Sequence, residues 1–131
     1  MATTVAEVMT RDPQTIGADE PISAVARRMR SADIGNIVIL DGARVAGIVT
    51  DRDIVIRAVA DQKDHATPVR DVCSNQDLAT ITPDMQVDHA VGLLRDKAVR
   101  RLPVVDGDRV VGVVSIGDFA DEMAAILERA G

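Results

Sequence analysis

Gly47-Ile48-Val49-Thr50-Asp51-Arg52-Asp53 returns 65 residues later as Gly112-Val113-Val114-Ser115-Ile116-Gly117-Asp118. Each copy runs glycine, two aliphatics, a hydroxyl residue, two variable positions and aspartate. The register extends outward without a gap. Thr15-Ile16 meets Thr80-Ile81, Asp19 meets Asp84, and Arg30 meets Arg95. Asp41-Gly42 meets Asp106-Gly107, and Arg44-Val45 meets Arg109-Val110. An internal repeat of this kind sets the architecture before any single element is read.

Each copy predicts the same elements. Thr15-Ile16 and Thr80-Ile81 read as short strands. Ile22, Val25, Ala26 and Met29 follow helical spacing, as do Val87, Ala90, Val91 and Leu94. Asp19 and Asp84 stand where caps are expected, and Pro21 suits a first helical turn. Ile37–Leu40 and Val104-Val105 precede Asp-Gly, a strong hairpin signal, and Val45–Val49 and Val110–Val114 return. These returning runs are nearly all aliphatic, so both faces are expected to be buried. Closing helices are expected over about Asp51 to Ala60 and Ile116 to Arg129. The fold class is therefore α/β: two pseudo-symmetric β-α-β-β-α repeats, over 5–60 and 69–127, with a polar linker over 61–68.

Ile54–Ala60 is apolar nearly all round, with Arg57 its polar interruption. Such a helix is covered on more than one side. A homodimer would supply the second cover; burial between the two halves of one chain is the alternative.

The chain has 131 residues, enough for one compact domain or two small halves. Its formal net charge is −6 and its pI near 4.8, which argues against nucleic acid or anionic membrane as partner. Trp and Tyr are absent and Phe119 is the one aromatic residue, so stacking platforms for single strands are missing. The single cysteine, Cys73, excludes an intramolecular disulfide framework and a cysteine-based zinc cage, and reads as a small buried hydrophobe. No apolar run is long enough to span a bilayer, and Met1–Thr4 lacks signal-peptide character, so a cytoplasmic address is expected.

The repeated junction admits two readings. A hydroxyl followed three residues later by a carboxylate is a capping box. The same place also suits a nucleotide. A helix start favours phosphate, a carboxylate accepts both hydroxyls of a ribose, and the preceding glycine lets a flat base approach.

The repeat resembles the cystathionine-β-synthase (CBS) domain, and the chain resembles a stand-alone tandem CBS pair, or Bateman module. The resemblance rests on Val8-Met9-Thr10, Asp41-Gly42, Gly47–Asp53, Gly112–Asp118 and Val99-Arg100-Arg101-Leu102-Pro103-Val104-Val105-Asp106. It runs from about Val5 to about Leu127. It implies two repeats packed sheet to sheet, and modules that join in pairs. It implies clefts for adenosyl ligands: AMP, ADP, ATP, S-adenosylmethionine, sometimes NADH or diadenosine polyphosphates. Asp53 and Asp118 would hold ribose, and Thr50 and Ser115 ribose or phosphate. Backbone near Thr15-Ile16 and Thr80-Ile81 would read adenine. Arg100 and Arg101 match the family's basic pair, which serves the phosphate of the first repeat's ligand.

Gly35 and Asn36 stand where the second repeat has Arg100 and Arg101, and Asn36 brings no charge. The clefts are thus expected to be unequal: Thr50/Asp53 suits a phosphorylated nucleotide, Ser115/Asp118 a nucleoside or nothing. Arg52 reads either as a phosphate contact or as a solvated helix-start residue. His65 and His89 are isolated and make no metal site. No phosphate-binding loop, dinucleotide fingerprint or nucleophile elbow occurs. No base stands beside a nucleophile, so no catalysis is expected. The chain is read as a regulatory module for a separate effector protein, the alternative being an interaction module without a ligand.

Overall fold

The computed structural model describes residues 4–73, 79–97 and 99–120, with Ala124 and Glu128. The strands are β1 (Thr10–Arg11), β2 (Thr15–Gly17), β3 (Asn36–Asp41), β4 (Arg44–Thr50), β5 (Arg101–Asp106) and β6 (Arg109–Ser115). The α-helices are α1 (Ile22–Ala32), α2 (Asp51–Ile54) and α3 (Val87–Lys97). β3, β4 and α1 recur as β5, β6 and α3 at the 65-residue offset. The burial patterns match, and so does the register slip, at Ile39/Leu40 and at Val104/Val105. Both hairpins turn on a glycine with left-handed φ, Gly42 at 65° and Gly107 at 64°. This is a conformation L side chains adopt at a cost.

The chain divides into two compact units. Gln14–Leu78 is one; Met1–Pro13 joins Ala79–Gly131 in the other. The first carries the sheet β2-β3-β4, with β2 parallel to β3 and β3 antiparallel to β4. The second carries β1-β6-β5, all antiparallel, and Ile81 adds a parallel bridge to Val104.

The leading segments are therefore exchanged. Val5-Ala6-Glu7-Val8-Met9 and Val69-Arg70-Asp71-Val72-Cys73 are a second internal match, offset by 64 residues rather than 65. Each starts with a 3-10 turn, Val5–Glu7 and Val69–Asp71. Val69, Val72 and Cys73 are buried with Val25, Ile37 and Val49 in the first unit. Val5 is buried with Ile81, Leu94, Val114 and Phe119 in the second. The leading segment of each repeat thus completes the core of the other. Burial pushes the Cys73 thiol pKa up, which keeps it unreactive.

Three sequence expectations need correction. Asp19 and Asp84 do not cap the helices. The first N–H groups of α1 donate to linker carbonyls, Ile22 to Thr67 (2.9 Å) and Ser23 to His65 (3.1 Å). Asp19 is taken up by Arg70, and Asp84 accepts from the Thr82 hydroxyl at 2.7 Å. Second, the helix expected over 51–60 is α-helical only to Ile54, then widens to a π-turn at Val55–Val59. β-branched side chains crowd an α turn, and bonds such as Ala60 N–H to Val55 O (2.9 Å) replace the tighter ones. Its counterpart is a 3-10 turn, Ile116–Phe119, and most of the helix expected beyond lies outside the described residues. Third, Gly112, read as room for a flat base, also has a packing reason. A Cβ there would stand 2.6 Å from Met9 Sδ and 2.9 Å from Thr10 O, so the crossing leading segment requires glycine. Among the described residues no helix is long and apolar enough to cross a membrane.

Candidate nucleotide-binding junctions

In the first unit β4 runs into α2 at Thr50. Thr50 N–H donates to Asp53 Oδ2 (2.9 Å), and Asp53 N–H donates to Thr50 Oγ1 (3.0 Å). This is a complete capping box, and it satisfies two amides at the helix start. The Asp53 side chain is 13% exposed, and its Oδ1 lies 3.8 Å from Arg57 Nε. Arg57 Nη1 also donates to Cys73 O (3.4 Å), tying the junction to the leading segment. Asp51 N–H donates to Gly35 O (3.0 Å). A Cβ at Gly35 would come within 3.2 Å of Asp51 Oδ2, so carboxylate fills the space beside this glycine. Arg52 is exposed, in keeping with a solvated helix-start residue.

The second unit repeats the frame with different charge. Ser115 N–H donates to Asp118 Oδ2 (2.8 Å), and Ser115 Oγ donates to the same oxygen (3.2 Å). Ile116 N–H donates to Arg100 O (3.1 Å), the counterpart of the Asp51–Gly35 bond. Ile116 replaces Asp51, and Arg100 replaces Gly35. The register sets half-buried Arg101 across from Ser115, and Asn36 across from Thr50.

Thr15, Ile16, Thr50, Arg52 and Asp53 all belong to the first unit. Thr15 pairs with Val38 and Thr50 with Asn36, so they flank β3 at its start. Within the second unit Arg100, Arg101, Ser115 and Asp118 gather at the junction; Thr80 and Ile81 belong to the same unit, Ile81 buried beside Val104 and Thr80 exposed. The basic pair and the Thr50/Asp53 junction belong to different units. Sequence reading missed Arg57 and Arg70. The first had a signal, its i,i+4 spacing from Asp53. The second shows only once the 64-residue match is aligned. Among the described residues no three His, Cys, Asp or Glu side chains gather as a metal site.

The family model described as "CBS domain" matches residues 5–59 and 69–125. The chain is 34% identical over 116 residues to the CBS domain-containing protein YhcV of Bacillus subtilis, covering 88% of this chain and 82% of that one. It is 30% identical to Hypoxic Response Protein I, crystallised with two coordinated zinc ions, at TM-score 0.78 over 91% of this chain and 98% of that one. The CBS domain pair of protein MJ0100, crystallised with 5'-methylthioadenosine and S-adenosyl-L-methionine, shares the fold. It has TM-score 0.80 and 24% identity over 95% of this chain and 98% of that one.

Proposed function

The chain belongs to the CBS-domain family as two tandem repeats, and we propose that it is a non-catalytic regulatory module. It binds an adenosyl ligand (AMP, ADP, ATP or S-adenosylmethionine) and signals to a separate effector protein. The observation that carries this reading is the duplicated junction, with hydroxyl and carboxylate at the same two places in both units. Asp53 and Asp118 take ribose hydroxyls. Thr50 and Ser115 take ribose or phosphate, and backbone at Thr15-Ile16 and Thr80-Ile81 takes the adenine edge. A ligand acts on such a module only through its different affinity for two states.

Phosphate is assigned to Arg100 and Arg101, which have no charged counterpart at Gly35 and Asn36. The family resemblance gives that phosphate to the ligand of the Thr50/Asp53 junction. A charge-assisted contact contributes about 1.5–3 kcal/mol, so Arg100→Ala/Arg101→Ala should weaken AMP binding about 10- to 150-fold. Adenosine, without phosphate, should bind the variant as it binds the parent. Calorimetric titration of both proteins with both ligands is the test. Unchanged AMP affinity in the double variant would remove the phosphate assignment.

One observation favours a second reading, an interaction module without ligand. Asp53 Oδ2 is held by Thr50 N–H, and Arg57 stands beside Oδ1, so the carboxylate has work without a ribose. No heat with AMP, ATP or S-adenosylmethionine would decide for that reading.

We also propose a homodimer. On the π-turn Ala58 is buried, while Val55, Ile56 and Val59 are 55%, 50% and 66% exposed. Three large aliphatics side by side in water are an interface in waiting. Sedimentation at micromolar concentration should show a dimer, and Ile56→Asp/Val59→Asp should sediment as monomer with its melting temperature little changed. A parent that stays monomeric ends this assignment.

A further inference from the structure

Arg70 has a place in one unit that is filled differently in the other. Its N–H donates to Ala18 O (3.1 Å), next to Val69 N–H donating to Glu20 O (2.9 Å). In the second unit Ala6 N–H donates to Pro83 O and Val5 N–H to Met85 O, both 2.9 Å. Ala18 and Pro83 are 65 residues apart, as are Glu20 and Met85. Ala6 therefore occupies the backbone position of Arg70. In the first unit the guanidinium projects from that position onto Asp19, with Nε 2.9 Å and Nη2 2.6 Å from Oδ1. Its Nη1 lies 3.9 Å from Asp41 Oδ2.

The counterparts of Asp19 and Asp41 are Asp84 and Asp106. With alanine at position 6, no guanidinium among the described residues reaches them. A cleft of about 650 Å³ opens there instead, lined by Ala6, Asp84, Asp106, Gly107, Thr4 and Thr82 among others. The Thr82 hydroxyl holds Asp84 Oδ1 at 2.7 Å, which fixes that carboxylate. Among the described residues neither Asp84 nor Asp106 has an ion-pair partner.

We propose that this cleft is a guanidinium site, receiving an arginine side chain of a partner protein or a free guanidinium compound between Asp84 and Asp106, as the other unit receives its own Arg70. A guanidinium presents five donors in a planar fork and can serve two carboxylates at once, which a compact ammonium does less well. The site is open to water, so a free guanidinium should bind weakly, with a Kd of about tens of millimolar or above.

The test is amide NMR of the full chain, titrated with methylguanidinium and with methylammonium at matched ionic strength. Saturable shifts should gather at residues 4, 6, 84, 106 and 107, with methylammonium at least threefold weaker. Asp84→Asn/Asp106→Asn should weaken methylguanidinium at least fivefold. Ala6→Arg should fill the cleft from within, abolish the shifts and raise the melting temperature by about 1–4 °C. That rise should vanish when combined with the two asparagines. A capped Gly-Arg-Gly peptide binding more tightly than free arginine marks a protein partner as the source; the reverse marks a small molecule. Non-saturating shifts, shifts unchanged in the double asparagine variant, or a folded Ala6→Arg without gain would each overturn the proposal. If Ala6→Arg does not fold, the titration of the parent decides alone.

Discussion

Removing residues 1–13 should leave the unit of residues 14–78 folded and unfold the rest. The physical reason is the exchanged leading segment. Val5 is fully buried in the second core, and Val8 and Met9 pack against that core. Burying one such aliphatic side chain is worth about 1.5–3 kcal/mol. The deletion also removes the β1–β6 pairing and the bonds of Val5 and Ala6 to Met85 and Pro83. The sum is on the order of 4–7 kcal/mol, comparable with the whole stability of a small domain. Hydrogen exchange should therefore keep protection over 14–73 and lose it over 79–120. A chain cut at the repeat boundary, residues 1–68, should fare badly for the mirror-image reason: it loses Val69, Val72 and Cys73 from the first core. A 14–131 chain melting within a few degrees of the parent would show that the exchange contributes little.

Asp53→Ala and Asp53→Asn should separate binding from capping. Alanine removes the acceptor of Thr50 N–H, and loss of a cap costs about 0.5–2 kcal/mol. For a chain of this size that lowers the melting temperature by roughly 2–8 °C. Asparagine keeps an oxygen for Thr50 N–H and should melt close to the parent. Both remove the charge that accepts two ribose hydroxyls. Two charge-assisted bonds of about 1.5–3 kcal/mol each imply at least a hundredfold loss of AMP affinity for alanine. Asparagine should also bind measurably more weakly than the parent. If the parent binds AMP and Asp53→Asn binds it equally well, the carboxylate is a cap and nothing more.

What was legible in the sequence was what is local. The hairpins follow from Asp-Gly between aliphatic runs, and the junctions from a hydroxyl and a carboxylate three residues apart. The 65-residue register places β3–β4 and β5–β6 with their matching irregularities. The resemblance drawn from Gly47–Asp53 and Gly112–Asp118 agrees with the family match. What escaped depends on distant partners. Val5–Met9 matches Val69–Cys73 at a different offset, so sliding by 65 passes over it. Asp19 reads as a cap because its captor, Arg70, is 51 residues away. Gly112 reads as room for a base, but the atoms it makes room for belong to Met9 and Thr10. The π-turn is the remaining miss. Apolar periodicity at Ile54–Ala60 shows a helix without showing how tightly it winds.

The exchange of leading segments also sets two clocks for folding. The unit of residues 14–78 is continuous in the chain, so it is complete as soon as Leu78 has left the ribosome. The other unit must hold Val5–Met9 in reserve while the whole of its neighbour is made, and close only when β6 arrives. Thr10 pairs with Val113 across a loop of about a hundred residues. Left unfolded, that loop would impose a closure penalty that slows pairing; already folded over 14–78, it has far fewer conformations to lose. Early folding of the continuous unit thus shortens the loop that the late one has to close. During synthesis the interval of exposure falls on Val5, Val8 and Met9, three apolar side chains made well before the core that buries them, where a chaperone has the most to protect.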